Sequence, residues 1–68
     1  MKKTFKVGEY GYSDKYTVSI TRQEIMLQGT GRNEFKTIVT DLDALQARLF
    51  DEVSVFYADK IMTWARSQ

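Results

Sequence analysis

The sequence predicts a small α+β domain: a three- or four-stranded antiparallel β-meander packed on one long C-terminal α-helix, in the order ββββα. Three observations lead to it. Apolar and polar residues alternate in short stretches between Lys3 and Thr40, the period-two pattern of half-buried strands. From Asp41 to Gln68 the period becomes helical, with Leu42, Leu45, Leu49, Val53 and Phe56 along the centre of one side. No Gly or Pro occurs after Gly31, so the strongest breakers are missing from the helical segment. The chain reads as a single domain over 1–68, with a sheet region over 1–40 and a helix over 41–67.

The first strand is expected over Lys3–Val7, with Phe5 and Val7 on one face and Thr4 and Lys6 on the other. The stretch Gly8–Lys15 follows as a loop, rich in Gly, Ser and Asp. Tyr16–Thr21 is the clearest strand: Tyr16, Val18 and Ile20 alternate with Thr17, Ser19 and Thr21, and β-branched residues suit a pleated, half-buried surface. Glu24–Gln28 admits two readings. As a strand, Ile25 and Leu27 face inward; as a short helix, Thr21 is the N-cap, Glu24 its capping-box partner and Gly29 the C′ residue. The strand is preferred because so short a helix is marginal, although Arg22-Gln23 lacks the Gly or Asn that two-residue hairpins favour. Gly29–Asn33 is a second loop. Phe35–Thr40 is the last strand, with Phe35, Thr37 and Val39 on one face and Ile38 on the other.

Thr40 or Asp41 caps the helix, and Asp41 and Asp43 sit where its dipole favours negative charge. Val53-Ser54-Val55 is its weakest stretch by propensity. The expected core is Phe5, Val7, Tyr16, Val18, Ile20, Ile25, Leu27, Phe35 and Val39 against Leu42, Leu45, Leu49, Val53 and Phe56.

Composition removes several function classes. With 43% apolar residues, 28% charged residues and nine aromatics, the chain has the makings of a folded globule. It contains no Cys and no His. Disulfides and zinc sites built on those residues are therefore ruled out, and so are the commonest general base and the most nucleophilic side chain. The adjacent Asp51 and Glu52 diverge by about 100° around a helix. No enzyme and no cofactor are expected. Asp41-x-Asp43 lacks the Gly turn and distal Glu of a calcium loop. Gly29-Thr-Gly31-Arg32 is not followed directly by a helix N-terminus that could cradle phosphate. No apolar run is long enough to span a membrane, and residues 1–9 lack the apolar core of a signal peptide. The expected location is the cytoplasm.

Two surfaces remain as functional candidates. A straight helix from Asp41 to Gln68 runs roughly 40 Å, whereas strands of five or six residues span roughly 20 Å. The sheet then leaves the distal half uncovered. Phe56, Tyr57, Ile61 and Trp64 continue the apolar stripe, and a second strip runs through Ala44, Val55, Ala58 and Met62, bordered by Ala47 and Ala65. A helix apolar on two sides is buried on two sides. The expectation is a non-catalytic protein–protein interaction module, a homodimer associating through Val55, Phe56, Tyr57, Ala58, Ile61, Met62 and Trp64. The other outcomes are a foreign protein partner, or a bend near Ser54 that folds the second half back on the same sheet.

The alternative surface is the basic, Tyr-rich N-terminal region. Lys2, Lys3, Lys6, Lys15, Tyr10 and Tyr12 offer phosphate contacts and stacking rings to a nucleic acid. A net charge of +1 argues against nucleic acid as the main partner, but the charge is uneven. Residues 1–40 carry seven basic and four acidic groups, and residues 41–68 carry three basic and five acidic.

Overall fold

Alternation becomes pairing in the computed structural model, which describes residues 1–68. The strands are β1 (Lys2–Lys6), β2 (Lys15–Ile20), β3 (Ile25–Thr30) and β4 (Phe35–Val39), in one antiparallel sheet of order β1-β2-β3-β4. The ββββ meander and its helical cover are as the sequence predicts. Ile25–Gln28 belongs to a strand, not a helix, with Glu24 in the turn before it; that strand runs on through Gly29 and Thr30, which the sequence reading assigned to a loop. A Cβ at Gly29 would collide with both the Phe35 ring and Ser13 Oγ. Only glycine lets those two side chains close over this point of the ladder.

The β2–β3 turn does without Gly or Asn. Thr21 Oγ1 accepts the Gln23 and Glu24 amides at 3.3 and 3.1 Å, and the Thr21 amide donates to the Glu24 carbonyl at 3.0 Å. A side-chain hydroxyl thus supplies the turn chemistry that the dipeptide Arg22-Gln23 lacks.

One expectation is overturned. The C-terminal third is two helices, α1 (Leu42–Glu52) and α2 (Val55–Arg66), not one. Val53 (φ −132°, ψ 167°) and Ser54 (φ −61°, ψ 157°) between them are extended. Poor helix propensity at Val53-Ser54-Val55 makes the break cheap, and the loop after β1 completes it. Val53 pairs with Gly11 in an antiparallel bridge. The Tyr12 amide donates to the Glu52 carbonyl at 3.0 Å and the Ser54 amide to the Tyr10 carbonyl at 2.9 Å. Backbone groups that a helix end leaves unpaired are satisfied here by another segment. A Cβ at Gly11 would come within 2.8 Å of Val7 and 3.0 Å of Val53, so the close approach depends on glycine.

The two helices form a hairpin. Arg66 near the end of α2 reaches back to Asp43 in the first turn of α1 at 3.4 Å and to Gln46 at 3.1 Å. The molecule measures 31 × 21 × 18 Å and contains no 40 Å rod. Asp41 caps α1, its carboxylate accepting the Ala44 amide at 2.8 Å. α1 lies over β3 and β4; α2 reaches β1, where Trp64 meets Phe5 edge to face at 5.9 Å between ring centroids.

Two non-helical residues also reset the helical phase, and the core changes accordingly. Phe5, Val7, Tyr16, Val18, Leu27, Leu45, Leu49 and Val53 are buried as expected, with Ile20, Ile25, Phe35, Val39 and Leu42 packed partly against them. Phe56, expected inside, is 68% exposed. In its place α2 buries Ala58, Ile61, Met62 and Ala65. These residues are spaced i, i+3, i+4, i+7 and form one helical face. Ala58 and Met62 come from the second strip, Ala65 borders it, and only Ile61 belongs to the main stripe.

Candidate functional site

The break between the helices gathers exposed aromatic residues at one end of the molecule. Tyr10 and Tyr12 come from the β1–β2 loop, Phe50 from the last turn of α1, and Val55, Phe56 and Tyr57 from the first turn of α2. The ring centroids of Tyr10 and Tyr57 are 5.8 Å apart, and those of Phe56 and Tyr57 are 5.3 Å apart. Five of the seven large apolar side chains that stay exposed belong to this end: Tyr10, Tyr12, Phe50, Val55 and Phe56. A shallow depression of about 470 Å³ separates the loop from α1, lined by Tyr10, Tyr12, Phe50 and Val53 together with Glu9, Arg32, Asp51 and Glu52. A second depression lies between Tyr10, Ser54, Phe56 and Tyr57.

The end is held rigid from beneath. Tyr16 is fully buried, and its hydroxyl accepts the Ser13 amide at 2.9 Å and donates to Glu52 Oε1 at 2.9 Å. Glu52 in turn pairs with Arg48 at 3.1 Å, and the Arg48 guanidinium lies 4.7 Å from the centre of the Phe35 ring. Burial raises the Tyr16 pKa above the ordinary tyrosine value; the neighbouring Glu52 pushes the same way, against the opposing hydrogen bonds from Ser13. The proton therefore stays on oxygen, where the bond to Glu52 needs it. On the other side of the loop, Arg32 binds Asp14 at 2.6 Å and donates to the carbonyls of Gly8 and Gly11. These contacts tie the β1–β2 loop to the rest of the fold without leaving a buried side-chain polar atom unpaired.

The residues singled out from the sequence for a helix-mediated interface separate into two groups. Val55, Phe56 and the half-buried Tyr57 face outward at this end. Ala58, Ile61 and Met62 lie inside the protein's own core, and Trp64 is half-buried against Phe5. The last four are occupied because the hairpin folds α2 onto the sheet, so the uncovered distal helix expected from the sequence does not exist. Phe50 of α1 stays exposed beside Phe56 at this end and outside the core.

The nucleic-acid candidates are likewise divided. Strand register puts Lys2 and Lys6 of β1, Lys15 of β2 and Lys36 of β4 on the sheet face away from the helices. Lys3 falls on the other face, with its ammonium 5.3 Å from the centre of the Phe5 ring. Tyr10 and Tyr12 belong to the aromatic end and not to the lysine face. Between the lysines lie Thr4, Thr17, Ser19, Gln28 and Thr30, with Met26 and Ile38 at one corner. Lys36 was not among the sequence candidates; alternation within Phe35–Thr40 and the meander order were the signals that place it there.

No group of three or more acidic, His or Cys side chains is arranged to hold a metal ion. No helix is long and apolar enough to cross a membrane. Comparison with protein-family models, with curated proteins and with solved structures found no match.

Proposed function

We propose that the chain is a small, non-catalytic interaction module of the cytoplasm that self-associates through the aromatic end of its helical hairpin. The observation that carries this reading is the concentration of five of the seven exposed large apolar side chains at that end. Contiguous exposed apolar surface on a small domain marks an interaction site, and aromatic residues are enriched at such sites. The helical hairpin still supplies the surface, but through Phe50, Val55, Phe56 and Tyr57 and not through the face that carries Ile61 and Met62.

A second copy is the partner that fits best. The rim carries both signs: Glu9 and Asp51 border the depression, and Lys60 lies 6.0 Å from the centre of the Tyr57 ring. A two-fold contact uses the same patch on both copies, so acid and base on one rim can face base and acid on the other. Chemistry is not part of this reading. The surface offers carboxylates, phenols and a guanidinium, of which Glu52 and Arg32 are already engaged.

Light scattering coupled to size exclusion tests the proposal. The dimer fraction is expected to rise with protein concentration, and Phe56→Asp is expected to hold the chain monomeric while its urea midpoint matches that of wild type at concentrations where wild type is itself monomeric. A wild-type chain that remains monomeric up to about millimolar concentration, corresponding to no more than about 4 kcal/mol of association, overturns it.

A further inference from the structure

We propose that the uncovered face of the sheet binds the phosphate backbone of double-stranded DNA without reading its sequence. Within its strands the face carries Lys2, Lys6, Lys15 and Lys36 and no carboxylate; Glu24 and Glu34 flank it in the turns before β3 and β4. All three ion pairs of the molecule use arginine, so none of these ammonium groups is neutralised by a neighbour. The acidic residues lie elsewhere, in the loops and on the helical layer, where Asp41, Asp43, Asp51, Glu52 and Asp59 outnumber Arg48, Lys60 and Arg66. The +1 net charge of the chain thus conceals an uneven distribution, +3 over residues 1–40 and −2 over residues 41–68.

Stability does not account for the arrangement. Lysines on β1 and β4 could serve only to protect edge strands from pairing with another chain. Lys15 is on the central strand β2, however, and stands directly opposite Lys6 in the ladder. Like charges facing each other across a strand pair weaken it. A phosphate between them reverses the sign of that interaction.

The chemistry of the face selects the occupant. Lysine is a point charge suited to phosphate, and there is no arginine on the face to make the bidentate contact that reads guanine. No aromatic ring is present on it to stack unpaired bases, which argues against a single strand. The hydroxyl and amide side chains between the lysines are donors of the kind that contact phosphate and sugar. None of the aromatic residues of the self-association surface takes part.

Fluorescence anisotropy with a short labelled DNA duplex of arbitrary sequence tests the proposal. Binding is expected at low salt. Four phosphate contacts give a log–log salt slope of roughly −3.6, so a fourfold rise in salt weakens binding by roughly 100-fold. Lys6→Ala with Lys15→Ala is expected to reduce the slope by roughly two. Lys15→Glu alone is expected to weaken binding while melting no lower than wild type, because it replaces a repulsive pair with an attractive one; this separates lost binding from lost folding. The proposal is overturned by absence of binding at low salt, by an unchanged slope in the double variant, or by equally salt-sensitive binding to polyglutamate or to anionic phospholipid vesicles. Salt-sensitive head-to-tail association of the chain in the absence of DNA overturns it too, since the acidic helical layer of a second copy is then the occupant.

Discussion

Replacing Tyr16 with Phe removes one oxygen and leaves the shape of the core intact, so its effect isolates the hydrogen bonds beneath the aromatic end. In the folded chain that oxygen accepts the buried Ser13 amide and donates to Glu52, each at 2.9 Å. Ser13 is fully buried, so its amide finds no water in exchange; leaving it unpaired costs about 1–3 kcal/mol. Glu52 keeps Arg48, which limits the loss on that side to about 1 kcal/mol for one hydrogen bond. The sum, about 2–4 kcal/mol, is a large share of the roughly 3–10 kcal/mol expected for a domain of this length. Urea unfolding followed by Trp64 fluorescence measures it. With a slope of about 1 kcal/mol per molar urea, the midpoint should fall by roughly 2 M or more. A fall smaller than about 0.3 M, at the same slope, refutes the reasoning.

The pH dependence of the same pair provides an independent check. The Tyr16 pKa is raised in the fold, while in the unfolded chain it is about 10. The unfolded state therefore releases the proton first. The stability contributed by the protonated hydroxyl is fully present below about pH 10 and is lost as pH rises from there through the folded pKa. The gap between wild type and Tyr16→Phe should narrow over that alkaline range and stay constant below it. A gap that widens above pH 10 contradicts the assignment.

The other predictions concern the helical hairpin. Ile61→Ala should cost about 2–5 kcal/mol in urea unfolding, whereas Phe56→Ala should stay within about 0.5 kcal/mol, the reverse of what a single continuous stripe implies. Gly11→Val should destabilise by about 1–3 kcal/mol, because its side chain enters space filled by Val7, Tyr16 and Val53; hydrogen exchange at the Ser54 and Tyr12 amides should accelerate first. Asp41→Ala should cost about 1 kcal/mol through the lost bond to the Ala44 amide, read as a lower melting temperature.

Strands were legible in the sequence because their signal is local. Tyr16, Val18 and Ile20 announce their face by alternation alone, and the same rule gives the inward positions of the neighbouring strands. The weakness of Val53-Ser54-Val55 was equally visible, but its consequence was not. Whether a weak stretch bends or breaks depends on what can pair with the freed backbone, and here that partner is Gly11, distant in sequence. The consequences for the rest of α2 follow from that one contact. Once residues 53 and 54 leave the helix, the phase shifts, Phe56 turns out and Ala58, Met62 and Ala65 turn in. The lysine face was partly legible for a related reason. Lys2, Lys6 and Lys15 stand out as N-terminal basic residues, but Lys36 joins them only through the ladder, and Lys3 leaves the group because neighbouring residues on a strand point to opposite faces.

The edge-to-face contact of Phe5 with Trp64 couples β1 to the last turn of α2. A segment emerging residue by residue cannot complete its interior until the last turn of α2 is available to cover β1. Without the turn that carries Trp64, Phe5 loses its edge-to-face partner and part of the inner face of β1 stays wet. This favours an all-or-none transition, in which sheet and helical hairpin form together. Trp64→Ala should therefore lower the cooperativity of the entire fold, not just fray a helix.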